Sequence, residues 1–158
     1  MRLPTKSAGL AALFLLSNGN LVAEEAQIKV LYFAGKEKSI AAIEMGEAVS
    51  CEVYEFAINA EKCFYPKGNE ITFVDGKADW IFATTNGLNG DRSVADMLRD
   101  VGLKPFERPD WSRGSSGARW ENAKFDSTSD TEIKRARFRE VNVFPNSGYV
   151  YINVFSTP

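Results

Sequence analysis

Apolar residues are unevenly distributed, and the longest apolar stretch lies near the start of the chain. Residues 8–16 are apolar apart from one glycine, Arg2 and Lys6 precede them, and small and polar residues follow up to Ala23. A basic start, a short apolar run and a small residue before the cleavage position predict a cleavable secretory signal peptide. The run is about half of the roughly 20 residues that a membrane-spanning helix needs, so we expect removal rather than anchoring.

The predicted signal peptide covers residues 1–23, with cleavage after Ala23 and the alternative of cleavage after Ala26. The remaining residues, 24–158, number about 135, which is a typical length for one domain. No later stretch is apolar enough to span a bilayer. We therefore expect a single exported domain, periplasmic or secreted, with no membrane span in the mature protein.

Alternation of side-chain character predicts strands in several later segments. Residues 27–33 are mostly apolar on both faces and predict a central strand. Residues 71–74 and 79–84, joined by Asp75 and Gly76, predict a hairpin. Residues 137–144 and 149–155 predict a second hairpin, in which Val143 faces Val150 and Phe138 faces Phe155. Residues 49–58 are ambiguous: we favour a strand, although a helix would also align apolar residues on one side.

Two segments have the spacing of helices. Residues 36–45 carry apolar side chains at near-helical intervals and precede Gly46. Ser93 followed by Asp96 resembles a capping box, and the apolar stripe after it ends before Gly102. Residues 104–131 lack such periodicity, so we expect a long loop there. The alternative is that residues 120–125 form a strand that the pattern does not reveal.

These elements predict an α+β fold. We expect an antiparallel sheet of about five to seven strands with one or two helices on one face, in a single small domain that is stapled by a disulfide. The disulfide would join Cys51 to Cys63, the two cysteines of the chain. An even number of cysteines in an exported small domain favours a structural bridge, and the spacing differs from the C-x-x-C of redox catalysts.

The composition excludes many catalytic mechanisms. The chain contains no histidine, which excludes Ser-His-Asp triads, Cys-His pairs and histidine-ligated metal sites. There is no Ser-x-x-Lys motif and no phosphate-binding Gly-Lys-Ser/Thr loop. The alternating oxygen side chains from Asp126 onward lack the glycine and the closing glutamate of a calcium loop. We therefore expect no catalytic residues, no metal and no cofactor.

Charge narrows the class of partner. The whole chain has a formal net charge of −2, and removal of Arg2 and Lys6 with the leader makes the mature domain more acidic. Acidic residues dominate residues 24–102, whereas basic residues slightly outnumber acidic ones after residue 102. A domain of this charge is not expected to bind nucleic acid.

The predicted loop at 104–131 contains the best candidates for a contact surface. Tryptophan and arginine are enriched where proteins bind one another, and here they alternate. The candidate binding residues are Arg108, Trp111, Arg113, Arg119 and Trp120. The alternative is that the tryptophans anchor the loop to the core.

The function that these features favour is an exported, non-catalytic binding module, such as an inhibitor or immunity-type protein, that contacts a protein partner in the cell envelope. One alternative is a carboxylate-dependent hydrolase of glycan or peptidoglycan, since two acidic side chains suffice for that chemistry. The other is a subunit of an envelope assembly. The sequence indicates neither the identity of the partner nor the oligomeric state.

Overall fold

The fold is given by a computed structural model that describes residues 26–85, 92–128 and 133–154. The predicted signal peptide lies outside these residues. Three helices precede or interrupt the strands: α1 (Val30–Phe33), α2 (Lys38–Met45) and α3 (Val94–Asp100). The nine strands are β1 (Ser50–Val53), β2 (Ala60–Phe64), β3 (Glu70–Val74), β4 (Lys77–Thr84), β5 (Leu103–Pro105), β6 (Trp111–Ser112), β7 (Ala118–Ser127), β8 (Arg135–Phe144) and β9 (Tyr149–Val154).

All nine strands belong to one antiparallel sheet. Its order is β1-β2-β3-β4-β9-β8-β7-β5, and the short strand β6 also pairs with β7. Two runs of consecutive strands, β1 to β4 and β7 to β9, therefore meet where β4 pairs with β9. The strands β1 and β5 form the two ends of this order.

The two faces of the sheet differ in what covers them. On the inner face, one fully buried row crosses six strands through Cys63, Ile71, Ile81, Ile152, Val141 and Trp120. The helices pack against this face and bury Phe33 of α1, Ala41 of α2 and Met97 of α3 in the same core. The opposite, outer face carries the surface described in the next subsection.

The predicted fold class is confirmed: the protein is a small α+β domain, mostly sheet with some helix, and it contains a Cys51–Cys63 disulfide. Within the described residues the sheet has nine strands rather than five to seven, and there are three α-helices rather than one or two. The strands β2, β5 and β6 were not predicted; β5 and β6 are only three and two residues long, too short to produce a detectable alternation. No helix in the described ranges is long and apolar enough to cross a membrane.

The strand predicted for residues 27–33 is wrong. Residues 30–33 form the helix α1 beneath the sheet, where Val30 and Phe33 are fully buried. The backbone N–H groups of Ile28 and Val30 donate to the carbonyls of Asp100 and Val101 at the end of α3, at 3.0 and 3.2 Å. The apolar character on both faces reflects burial between the helices and the sheet rather than a place within the sheet.

Most other predicted elements are present. The strand interpretation of residues 49–58 is correct only for Ser50–Val53, because the chain turns at residues 54–59. The Asp75-Gly76 turn, the helix before Gly46 and the capping box of Ser93 with Asp96 are confirmed. The long loop expected at 104–131 is wrong, because β6 and β7 and the end of β5 lie within it, and the concealed strand at 120–125 is the middle of β7.

The last hairpin has the predicted register except at one end. Val143 pairs with Val150, as expected, but Phe138 pairs with Val154 rather than Phe155. Arg139 is an extra residue in β8 at this point, so the alternation of faces shifts along the strand. Phe138 consequently points into the core, where its ring lies 5.7 Å from that of Phe125.

Candidate binding surface

A continuous row of side chains crosses the outer face of the sheet. Each residue in the row lies directly opposite its neighbour on the next strand, and side chains so placed contact one another. The row crosses seven strands, from β2 to β6. Its residues are Phe64, Glu70, Phe82, Tyr151, Asn142, Arg119 and Trp111.

Further aromatic side chains flank this row. The ring of Tyr149 stacks on Phe82 at 4.4 Å between centroids and lies 4.7 Å from Phe144. On the other side of the row, Tyr54 meets Trp80 edge to face at 5.5 Å. We call the following residues the aromatic face: Tyr54, Phe64, Trp80, Phe82, Phe144, Tyr149 and Tyr151.

The aromatic face owes its position to alternation within the strands. In β4, Ile81 and Ala83 point into the core, so Trp80 and Phe82 point outward. The same alternation in β9 buries its valine and isoleucine and turns Tyr149 outward. All seven rings are half-buried, because they pack against one another and no helix in residues 26–85, 92–128 and 133–154 covers them.

Acidic residues outnumber basic residues around the aromatic face. Lys62 bonds to Glu70 at 2.5 Å, and its Nζ lies 5.1 Å from the centre of the Phe64 ring. Arg119 bridges two carboxylates, Glu121 and Glu140, which lie opposite each other on β7 and β8. Lys124 and Arg137 lie farther along β7 and β8. Nearer the rings, five acidic residues outnumber the two cations: Glu52, Glu70, Asp79, Glu121 and Glu140.

Tyr151 occupies the middle of the row, and the pKa of its phenol is raised. Burial is the main cause that raises the pKa of its phenol, and the nearby carboxylates of Glu140 and Asp79 act in the same direction. Both effects penalise a phenolate. At neutral pH the hydroxyl is therefore a hydrogen-bond donor in a surface otherwise rich in acceptors.

The predicted site residues separate into three groups. Trp111 and Arg119 lie opposite each other at one end of the outer row, and Trp111 is 49% exposed. Trp120 points to the other face, is 3% exposed and donates from Nε1 to the carbonyl of Glu107 at 3.0 Å. Arg108 and Arg113 are exposed on the segment that connects β5 to β7, outside the row.

Trp111 is held in place by a close approach of backbone. Its strand β6 pairs with the start of β7, where Gly117 has a φ of 155°. A Cβ at Gly117 would lie 2.8 Å from the carbonyl oxygen of Val143 and 3.6 Å from Cζ3 of Trp111. The glycine is therefore required by the close approach of the Val143 carbonyl, and the tryptophan ring packs at ordinary contact distance beside it.

The aromatic face was missed from the sequence. The signal that indicates it is the division of β4 and β9 into one aliphatic and one aromatic set of alternate residues, such as Ile81 against Trp80 and Phe82. Rings of this type are common in cores as well as at interfaces. Only the order of the strands shows that the aromatic sets of β2, β4, β8 and β9 share one face.

The predicted disulfide is present between Cys51 and Cys63, which lie opposite each other on β1 and β2. Lys38 donates to the Sγ of Cys51 at 2.9 Å and to Glu61 at 3.1 Å. Within the described ranges, one group of potential metal-ligating atoms lies close together, and it consists of Cys51, Glu61 and Cys63. Because the two sulfurs are bonded to each other, this group is a structural bridge with a salt bridge beside it.

Two grooves lie away from the aromatic face. One, of about 500 Å³, runs between α3 and the strands β5 to β7, and Leu98, Pro105 and Trp120 line it. The other, of about 630 Å³, lies between α1 and the start of β8 and is bordered by Lys36 and Arg137. Arg135 at this second groove is already paired with Asp126 at 2.9 Å.

Searches against known protein families, curated proteins and solved structures find no match to this chain, so the surface chemistry described above carries the functional inference.

Proposed function

We propose that the protein is an exported, non-catalytic binding module that acts by protein–protein contact through its outer row and aromatic face, as an inhibitor or immunity-type protein of the cell envelope does. The observation that carries this proposal is the outer row with its flanking aromatic rings, which none of the described helices covers. Tyrosine and tryptophan are enriched at the energetic centres of protein interfaces.

The size of the surface fits a protein partner. Seven neighbouring strands about 4.8 Å apart make the outer row about 30 Å wide. A standard interface covers about 800 Å² on each partner, which is a patch of about the same width. A small ligand would contact only a fraction of the row.

The packing of the rings favours protein over glycan. Phe82, Tyr149 and Phe144 stack on or tilt against one another, with centroids 4.4 and 4.7 Å apart. Rings whose faces are already packed have little free face on which a sugar ring could stack. The carboxylates opposite each other, Glu121 and Glu140, are both engaged by Arg119, so we assign them to a salt-bridge cluster rather than to hydrolysis.

The excess of acidic residues around the aromatic face indicates a basic partner surface, because complementary charge steers association and suppresses wrong partners. The disulfide fits folding in an oxidising compartment. Together with the predicted signal peptide, it favours a partner in the periplasm or outside the cell.

Affinity capture with matched variants tests this function. Wild type, Trp111→Ala and Tyr149→Ala are immobilised and exposed to an extract of the envelope and medium of the source cells. Phe106→Ala is the control, because Phe106 is 51% exposed but stacks under Arg135, outside the aromatic face. We expect one basic protein to be retained by wild type and by Phe106→Ala, and to be lost at least about tenfold with the other two variants.

Two results would overturn the proposal. One is retention of the same proteins by all four forms at the same level. The other is release of reducing sugar from purified peptidoglycan by the wild-type protein, which would establish the hydrolase alternative instead. Calorimetry with the purified partner should give a negative heat-capacity change, because apolar surface is buried on binding.

A further inference from the structure

The turn between β1 and β2 exposes an unusual amount of apolar surface. We call residues 53–59 the tip. Val53, Phe56 and Ile58 are 81%, 85% and 87% exposed, and they are the most exposed large hydrophobic side chains in the described ranges. Single exposed apolar residues are ordinary on protein surfaces, whereas a cluster of three at one turn marks an interaction site.

The tip is braced rather than loose. The Cys51–Cys63 disulfide closes the hairpin immediately behind it, and the N–H of Tyr54 donates to the carbonyl of Ala60 at 2.9 Å. The carbonyl of Asn59 accepts from the N–H of Asp75 at 3.0 Å. The side-chain Nδ2 of Asn59 donates to the Asp75 carboxylate at 3.1 Å. These bonds fix the backbone that carries the exposed side chains before binding, which lowers the conformational cost of association.

The tip is continuous with the aromatic face. Tyr54 belongs to both, and its ring contacts Trp80 on one side and Phe56 on the other, at 5.5 and 5.4 Å. A partner that covers the aromatic face therefore meets the tip at the β1 end of the sheet. The tip projects beyond the paired strands, so the partner needs a concavity at that position.

The negative charge of the tip indicates what kind of surface it contacts. Glu55 lies between the exposed apolar residues, and Glu52 is exposed immediately before them. Carboxylates at this position oppose insertion into an anionic lipid surface and favour a basic rim around an apolar cleft.

We propose that the tip is a wedge that inserts Phe56 and Ile58 into an apolar cleft with a basic rim on the protein that contacts the aromatic face. This inference rests on the proposed function and adds to it the shape of the partner. The wedge accounts for the position of the disulfide, which stiffens the β1–β2 pair at the end of the strand order opposite to β5, a strand that α3 contacts.

Site-specific photo-crosslinking in the source cells tests the wedge. The photoreactive residue p-benzoyl-phenylalanine replaces Phe56 in the full exported chain, and in separate strains it replaces Ile43 or Trp111. Ile43 is the matched control, because it is 76% exposed but lies on α2. We expect adducts of the same mass from positions 56 and 111 and none from position 43.

The expected adduct contains one basic protein, and the peptide crosslinked to position 56 lines a cleft in that protein. Phe56→Ser should weaken binding of this purified protein about 30-fold and Ile58→Ser about tenfold, whereas Ile43→Ser should leave its Kd unchanged. Thermal unfolding of all three variants should match wild type, since each side chain is exposed.

The outcomes separate the two proposals. Adducts from position 111 without any from position 56 would overturn the wedge and leave the proposed function standing. Adducts from position 56 with a second copy of this chain, or with lipid, would also overturn the wedge. Adducts from neither position would overturn both proposals.

Discussion

Trp111 and Trp120 occur in the same stretch of sequence but point to opposite faces of the sheet. Trp120 is 3% exposed and lies 5.9 Å from the ring of Phe125 in the core, whereas Trp111 is 49% exposed on the outer face. We expect Trp120→Ala to lower the free energy of unfolding by about 3–5 kcal/mol, because it leaves a large cavity. Trp111→Ala should change it by no more than about 0.5 kcal/mol. Urea unfolding followed by circular dichroism measures both values.

Equal losses of stability for the two variants would contradict this placement. Phe125→Leu serves as a control for the core, since it removes part of the neighbouring ring and should destabilise the domain in the same direction as Trp120→Ala.

Residue type alone selected two of the residues of the outer row, Trp111 and Arg119, together with one residue of the core, Trp120. Residue type could not separate them, because the side to which each residue points depends on strand register, which is set for β7 by pairing with β8 and for β6 by pairing with β7. For the same reason, the sequence did not indicate that Phe82 and Tyr151 share a surface, because they become neighbours only through the pairing of β4 with β9.

At the level of elements, the helix α3 is stabilised by a reciprocal cap. The hydroxyl of Ser93 accepts from the N–H of Asp96 at 3.1 Å, and Asp96 Oδ2 lies 2.7 Å from that hydroxyl. The hydrogen bond from Ser93 is the main cause that lowers the pKa of the Asp96 carboxyl, and Arg99 adds to it. We expect Ser93→Ala to destabilise the domain by about 1 kcal/mol.

The lowered pKa of Asp96 gives this cap a defined dependence on pH. The stabilisation is complete above about pH 4, the usual value for aspartate, and is lost as the pH falls through the lower pKa of the folded state. Urea midpoints measured between pH 7 and pH 2 should therefore converge for wild type and Asp96→Asn at the acid end. A difference that stays constant over this range would show that the carboxylate charge does not act on α3.

Elements with local signals were predicted, and elements that depend on distant partners were not. The cap of α3 and the Asp75-Gly76 turn depend on residues close in sequence. The helix α1 depends on backbone bonds to α3, and β5 exists because Leu103–Pro105 pairs with the end of β7. A pattern of apolar residues shows that such segments are buried, but it does not show which part of the fold buries them.

At the scale of the whole molecule, the covalent state of the protein tests the predicted export. The described domain is already anchored at Ile28, whose N–H bonds to Asp100, so cleavage after Ala23 or after Ala26 leaves the fold intact. We expect exported protein to begin at Glu24, or at Gln27 if the alternative cut is used. Its mass should be lower than that of the reduced chain by two hydrogen atoms, and Cys51 and Cys63 should react with an alkylating reagent only after reduction. Reduction should lower the free energy of unfolding by about 3 kcal/mol, since it frees a loop of this length in the unfolded chain. Protein that retains the leader, or that has two reactive thiols without reductant, would contradict the predicted export and with it the envelope partner.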